Sequence, residues 1–168
     1  MRTAFIALLS LTLAAPAAAA PAPKIPIASF EQLAKPLPLP YDEQANARAV
    51  VAAAKARARA HHKLLLIDLG GNWCLDCRLL AGTMELPALR KFLAAKYEIA
   101  TVNVGRFDKN LDIPAHYGIT DRLEGVPAVL IVDPRTDRLL NAGHIAALAD
   151  ARSMSPQALA DWLASWTK

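Results

Sequence analysis

Cysteine is nearly absent from this chain. Its 168 residues include two, too few for a fold held together by disulfides, and no second pair is there to complete a four-cysteine zinc site. A membrane-length apolar run is missing as well. The N-terminal stretch from Ala4 to about Ala15 falls short of the roughly 20 residues a spanning helix needs. The double glycine at Gly70-Gly71 lacks the second half of a Gly-x-Gly-x-x-Gly fingerprint, so neither a flavin nor a nicotinamide cofactor is expected. No internal repeat is visible. Charge is mixed, with a formal net of +4. Its densest cations, Arg48, Lys55, Arg57 and Arg59, fall on an expected helix without interleaved aromatics. That pattern describes a solvated helix face, not a nucleic-acid surface. What remains is a chain of one-domain length, able to build an ordinary hydrophobic core.

The first residues read MRTAFIALLSLTLAAPAAAA. One basic residue, an apolar run, a helix breaker at Pro16 and a string of alanines form the layout of a secretory signal peptide. Pro21 disfavours cleavage after Ala20, so Ala17-Ala18-Ala19 is the expected recognition triplet and residues 1–19 the leader removed. An uncleaved anchor is the alternative. No cysteine follows the run, which excludes a lipid-anchored lipoprotein. Export to a bacterial periplasm is therefore expected, and disulfides persist in that compartment.

Residues 20–41 contain six prolines, which forbid a continuous helix or central strand. We expect an extended leader there, with a short apolar contact around Ile27 to Leu33, and a folded domain over 42–168. From Asp42 to about Ala60 an Ala-rich stretch without Gly or Pro predicts a helix. The run KLLLIDLGG predicts a strand buried on both faces. A helix follows that Gly82 and Pro87 interrupt. Strands are expected at Tyr97 to Val104, at Val126 to Val132 and near Leu139, with a short helix over 112–118. Ser155-Pro156 starts a last helix through Trp166. This order implies an α/β sandwich around a mixed sheet, with an extra helix at the N-terminal end.

Both cysteines lie in GGNWCLDCRLL, three positions apart at the mouth of that second helix. A helix N-terminus offers unpaired N–H groups and a positive dipole end, which stabilise a thiolate on Cys74. Cys77, one turn on, can attack a mixed disulfide formed at Cys74. Cys74 is thus the expected exposed nucleophile and Cys77 the buried resolving thiol, the two closing a reversible disulfide. Competing readings are weaker. No histidine has a convincing spacing for a zinc site, a structural disulfide here closes too short a loop to stabilise much, and inert thiols are odd in an oxidising compartment.

The segment LLLIDLGGNWCLDC resembles the active-site strand and turn of thioredoxin-like proteins, with Trp73 immediately before Cys-x-x-Cys. Asp68 stands where that family carries a buried acid near the resolving thiol. EGVPAVLIVD resembles the family's cis-proline segment, with Val126 and Pro127 facing the site. The extra helix and the Asn-Trp-Cys-x-x-Cys-Arg form are most similar to exported members related to the C-terminal domain of the transmembrane disulfide interchange reductase. The resemblance spans about residues 42–168 and implies a three-layer thioredoxin-like sandwich. It also implies thiol–disulfide oxidoreductase activity on protein thiols and disulfides, with a membrane thiol–disulfide carrier as electron donor. Departures are Gly70-Gly71 in place of a bulky residue, which predicts a more open face, and Asp76 in place of the usual proline.

Trp73 is expected to form an apolar contact surface for substrate. Asp68, raised in pKa by burial, suits a base that deprotonates Cys77. His144 is expected on the surface. Asp76 places a carboxylate between the cysteines, disfavours the thiolate and so makes the couple more reducing, with Arg78 offsetting part of its charge. A monomeric reductase or electron relay is the expectation. The alternatives are a non-catalytic binding or adaptor module, a disulfide-forming oxidase, and, more weakly, a metal-delivery protein.

Overall fold

The buried run of the first strand organises the molecule. In a computed structural model, which describes residues 19–167, strand β1 (Leu64–Gly70) is buried almost end to end. It pairs in parallel with β2 (Tyr97–Asn103) on one side and antiparallel with β3 (Ala128–Asp133) on the other. A two-residue β4 (Arg138–Leu139) adds antiparallel to β3, giving the order β2-β1-β3-β4. A parallel pair needs a crossover, and here α2 (Leu75–Met84) and α3 (Pro87–Lys96) provide it between β1 and β2.

Alternate residues of β1 feed two cores. Leu65, Ile67 and Leu69 pack with Ala54 and Ala58 of α1 (Ala47–Ala60). Leu66 packs with Leu89 and Leu93 of α3 and with Leu159 and Leu163 of α5 (Pro156–Ser165). The short α4 (Asp112–His116) adds Ile113 to the α1 side. The result is a three-layer sandwich around a mixed sheet, as the sequence implied. Helix starts follow local chemistry. The Asn46 side chain accepts the Ala49 N–H at 3.1 Å and Ser155 accepts that of Ala158 at 3.1 Å, with Pro156 in the first turn.

Two features differ from the sequence reading. Gly82 does not interrupt α2. It lies inside the helix, where an added Cβ would stand 3.3 Å from Leu33 and 3.5 Å from Leu37 and Pro38, so its smallness admits a neighbouring segment. The expected break at Pro87 is present, with α2 ending at Met84 and Pro87 the first residue of α3. The neighbour that Gly82 admits is the Pro-rich segment itself, whose packing extends beyond the short contact expected around Ile27 to Leu33. It is irregular apart from a 3-10 turn at Phe30–Gln32, yet Ile25, Phe30, Leu33, Leu37 and Tyr41 are buried. The Arg78 guanidinium donates to the carbonyls of Leu37 and Pro38 at 3.1 and 3.2 Å, fixing this arm along α2. The expected signal peptide lies outside the described residues except for Ala19. No described helix is long and apolar enough to cross a membrane.

Candidate active site

Strand β1 ends at Gly70, and the turn after it delivers Cys74 as the N-cap of α2. The Cys74 N–H donates to Gly71 O at 3.0 Å. The Cys77 N–H donates to Cys74 Sγ at 3.1 Å, so the cap position itself turns a backbone donor onto the sulfur. On its other side the Cys74 thiol donates to Val126 O at 3.3 Å. The Val126–Pro127 peptide is cis and both residues are buried. The two cysteines are free thiols.

Cys74 is less open than a cap at a helix mouth suggested. It is 5% exposed, against none for Cys77, because the Val126 carbonyl closes over a sulfur already held by the helix. Its pKa is lowered. The hydrogen bond with the Cys77 side chain is the largest cause, burial opposes it, the Cys77 N–H helps, and the charge of Asp76 opposes. The Cys77 pKa is raised, first by Cys74 and then by burial. A thiolate therefore forms at Cys74 first.

Asp68 is 2% exposed, and burial lifts its pKa to about 7. It is not an isolated carboxyl. The Tyr41 hydroxyl lies 2.9 Å from each carboxylate oxygen, donates to it and moderates that rise. Tyr41 also fills the space at Gly70, where an added Cβ would stand 2.6 Å from Tyr41 Cζ and 2.8 Å from Cys77 Sγ. The face is therefore not more open: the arm occupies the gap at Gly70, and the Trp73 ring occupies the one at Gly71, where an added Cβ would stand 2.6 Å from its Nε1.

Asp76 has a counter-ion other than the expected Arg78. Its carboxylate is buried and held by Arg152, whose Nη2 lies 2.5 Å from Oδ2 and whose backbone N–H donates to Oδ1 at 2.9 Å. Burial would raise the Asp76 pKa, but the bonds and charge of Arg152 outweigh it and keep the pKa below its ordinary value. Asp76 stays ionised, with Arg152 as its counter-ion. Arg78, expected to offset that charge, is committed to the arm.

Trp73 is 44% exposed and directly precedes Cys74 in the chain. Its Nε1 donates to Gly105 O at 2.8 Å. The Arg106 guanidinium sits 4.5 Å over its ring, and Phe107 meets it edge-on at 6.2 Å. Phe107 also lines a recess of about 270 Å³, together with Leu111, Ile119 and Arg122. A roomier groove of about 850 Å³ lies at the opposite end of the sheet and touches none of these residues. His144 is exposed against Trp166, away from both sulfurs. Tyr41 and Arg152 were missed because the chain separates them widely from Asp68 and Asp76, and neither carries a spacing signal.

The thioredoxin-like family model matches residues 46–134. A disulphide isomerase from Xylella fastidiosa is 36% identical, with a TM-score of 0.70 over 79% of this chain and 99% of that one. The chain belongs to the thioredoxin-like family. A DsbH oxidoreductase is similar at 16% identity and a TM-score of 0.42, covering 88% of this chain and 96% of that one. No curated protein matches. In this thioredoxin-like chain, Cys74, Cys77, Asp68, Trp73, Val126 and Pro127 converge at one end of β1, joined by Tyr41 and the Asp76–Arg152 pair.

Proposed function

We propose that this protein is an exported thiol–disulfide oxidoreductase that works from its dithiol form, as a reductase or electron relay acting on protein disulfides in the periplasm. The observation that carries this reading is Cys74 Sγ, which receives the Cys77 N–H at 3.1 Å at a helix N-terminus while Cys77 lies wholly buried behind it. The Cys74 thiolate attacks a substrate disulfide, and one substrate sulfur leaves with the electron pair. Cys77, deprotonated with the help of Asp68, then attacks Cys74, releasing the second substrate sulfur and closing the Cys74–Cys77 disulfide. The substrate gains two electrons and the protein loses two. A membrane thiol–disulfide carrier restores the dithiol. Trp73, with Arg106 stacked on it, offers the docking surface.

The 36% likeness to a protein titled disulphide isomerase favours a second reading. Isomerisation uses the same first attack but is resolved by another substrate thiol. Insulin reduction by dithiothreitol separates the readings. The wild-type protein should accelerate precipitation well above the buffer rate, and Cys74→Ser should not. A Cys77→Ser variant that loses insulin reduction yet still reshuffles a scrambled disulfide protein supports isomerisation. No acceleration by the wild type would leave a binding or adaptor module as the account.

A further inference from the structure

The acid, the resolving thiol and a tyrosine from the N-terminal arm share one closed space. Asp68 is 2% exposed and Cys77 not at all, so neither exchanges protons freely with bulk water. Among the described residues, Tyr41 supplies the only hydrogen bond to the Asp68 carboxylate. The missing side chain of Gly70 is what brings the groups together, since a Cβ there would overlap the Tyr41 hydroxyl and stand 2.8 Å from Cys77 Sγ. Tyr41 is also rigidly placed. Its N–H donates to Asn72 Oδ1 at 3.1 Å, Asn72 Nδ2 donates back to its carbonyl at 2.8 Å, and Thr101 donates to the preceding Pro40 O at 3.2 Å. These bonds hold the backbone of the arm in place, and the Asp68 carboxylate holds the hydroxyl.

We propose that Tyr41 relays the Cys77 proton to Asp68 during resolution of the mixed disulfide, a step that rests on the thiol-exchange reading above. The S–H bond of Cys77 breaks as its proton passes to Tyr41 Oη, while the hydroxyl proton of Tyr41 passes to the Asp68 carboxylate. The electron pair left on Cys77 attacks Cys74 Sγ, the bond to the substrate sulfur breaks, and the substrate leaves as a thiolate that takes a proton from water. Tyr41 ends neutral and Asp68 protonated. Passage must be concerted, because burial first, and the charge of Asp68 next, push the tyrosine pKa far up and bar a free tyrosinate. Tyr41 is then a catalytic residue contributed by a segment outside the β1–α2 unit.

Stopped-flow reaction of the reduced full protein with dithiobis(nitrobenzoate) reads the two steps apart. The first equivalent of nitrothiobenzoate reports attack by Cys74, the second reports resolution by Cys77. Tyr41→Phe keeps the ring and should leave the first phase at the wild-type rate, which also shows that the site is folded. The second phase should fall at least about tenfold, within the range of a lost acid–base step, and stay low at its high-pH plateau. Asp68→Asn should slow it similarly, and the double variant should be no slower than the worse single one. Should Tyr41→Phe only move the pH midpoint upward and recover the wild-type plateau, the tyrosine merely tunes Asp68 and the relay is wrong. An unchanged second phase overturns it equally. Wild-type protein that releases no second equivalent sinks the thiol-exchange reading instead, a distinct failure.

Discussion

Arg152 decides how Asp76 acts on the neighbouring sulfur. The pair is in close contact, and Arg152 also feels the charge of Cys74. Removing either partner therefore bares a charge of known sign beside the thiolate. Asp76→Asn should lower the Cys74 pKa and make the couple more oxidising, on the order of 30 mV for each unit of pKa. Arg152→Met should do the opposite, and thiolate absorbance against pH, with glutathione equilibration, checks both. Equal shifts of one sign would refute the pairing. Asp68 carries a different signature. Its pKa rises from 3.8 to about 7 on folding, so between those values the folded state binds more protons than the unfolded one. Stability then falls as pH rises across that window, by on the order of a few kcal/mol. Asp68→Asn should flatten the dependence in urea titrations from pH 4 to 8; an unaltered slope would mean that the carboxyl is ionised throughout. The sequence disclosed Asp68, Asp76 and the cysteines because each lies within one strand–turn–helix. Their partners are invisible at that range, since Arg152 lies 76 positions beyond Asp76 and Tyr41 lies 27 before Asp68.

Elements were legible where local chemistry settles them. The unbroken apolar run of β1 and the Ser155-Pro156 start of α5 needed no tertiary information. The glycines needed it. Gly82 reads as a helix interruption and Gly70 as part of an open face, but each is a flat place on an element where the Pro-rich arm lies. The same holds for β4, whose two residues are defined only by their pairing with β3. The arm's role can be tested at the strand it covers. A methyl at Gly70 collides with both Tyr41 and Cys77, and overpacking of this kind costs typically about 1–3 kcal/mol. Gly70→Ala should lower stability by that amount, measured by urea unfolding, and should displace the arm, read as faster amide exchange at Tyr41. Full stability with protected Tyr41 would show that the arm does not rest on this surface.

For the whole molecule, the sandwich places one reactive sulfur at a helix mouth, an aromatic and cationic surface beside it, and a closed acid–tyrosine–thiol cluster behind it. This division suits a protein that accepts a substrate from outside and finishes the exchange away from water. The central claim is that the Cys74–Cys77 pair runs as a two-electron couple poised to reduce. Its reduction potential, from equilibration in glutathione buffers with thiol alkylation, tests that most directly. The account predicts a single two-electron transition below about −200 mV, in the range of thiol reductases. A potential near about −120 mV, that of a strong periplasmic oxidant, or the absence of any such transition, would contradict it.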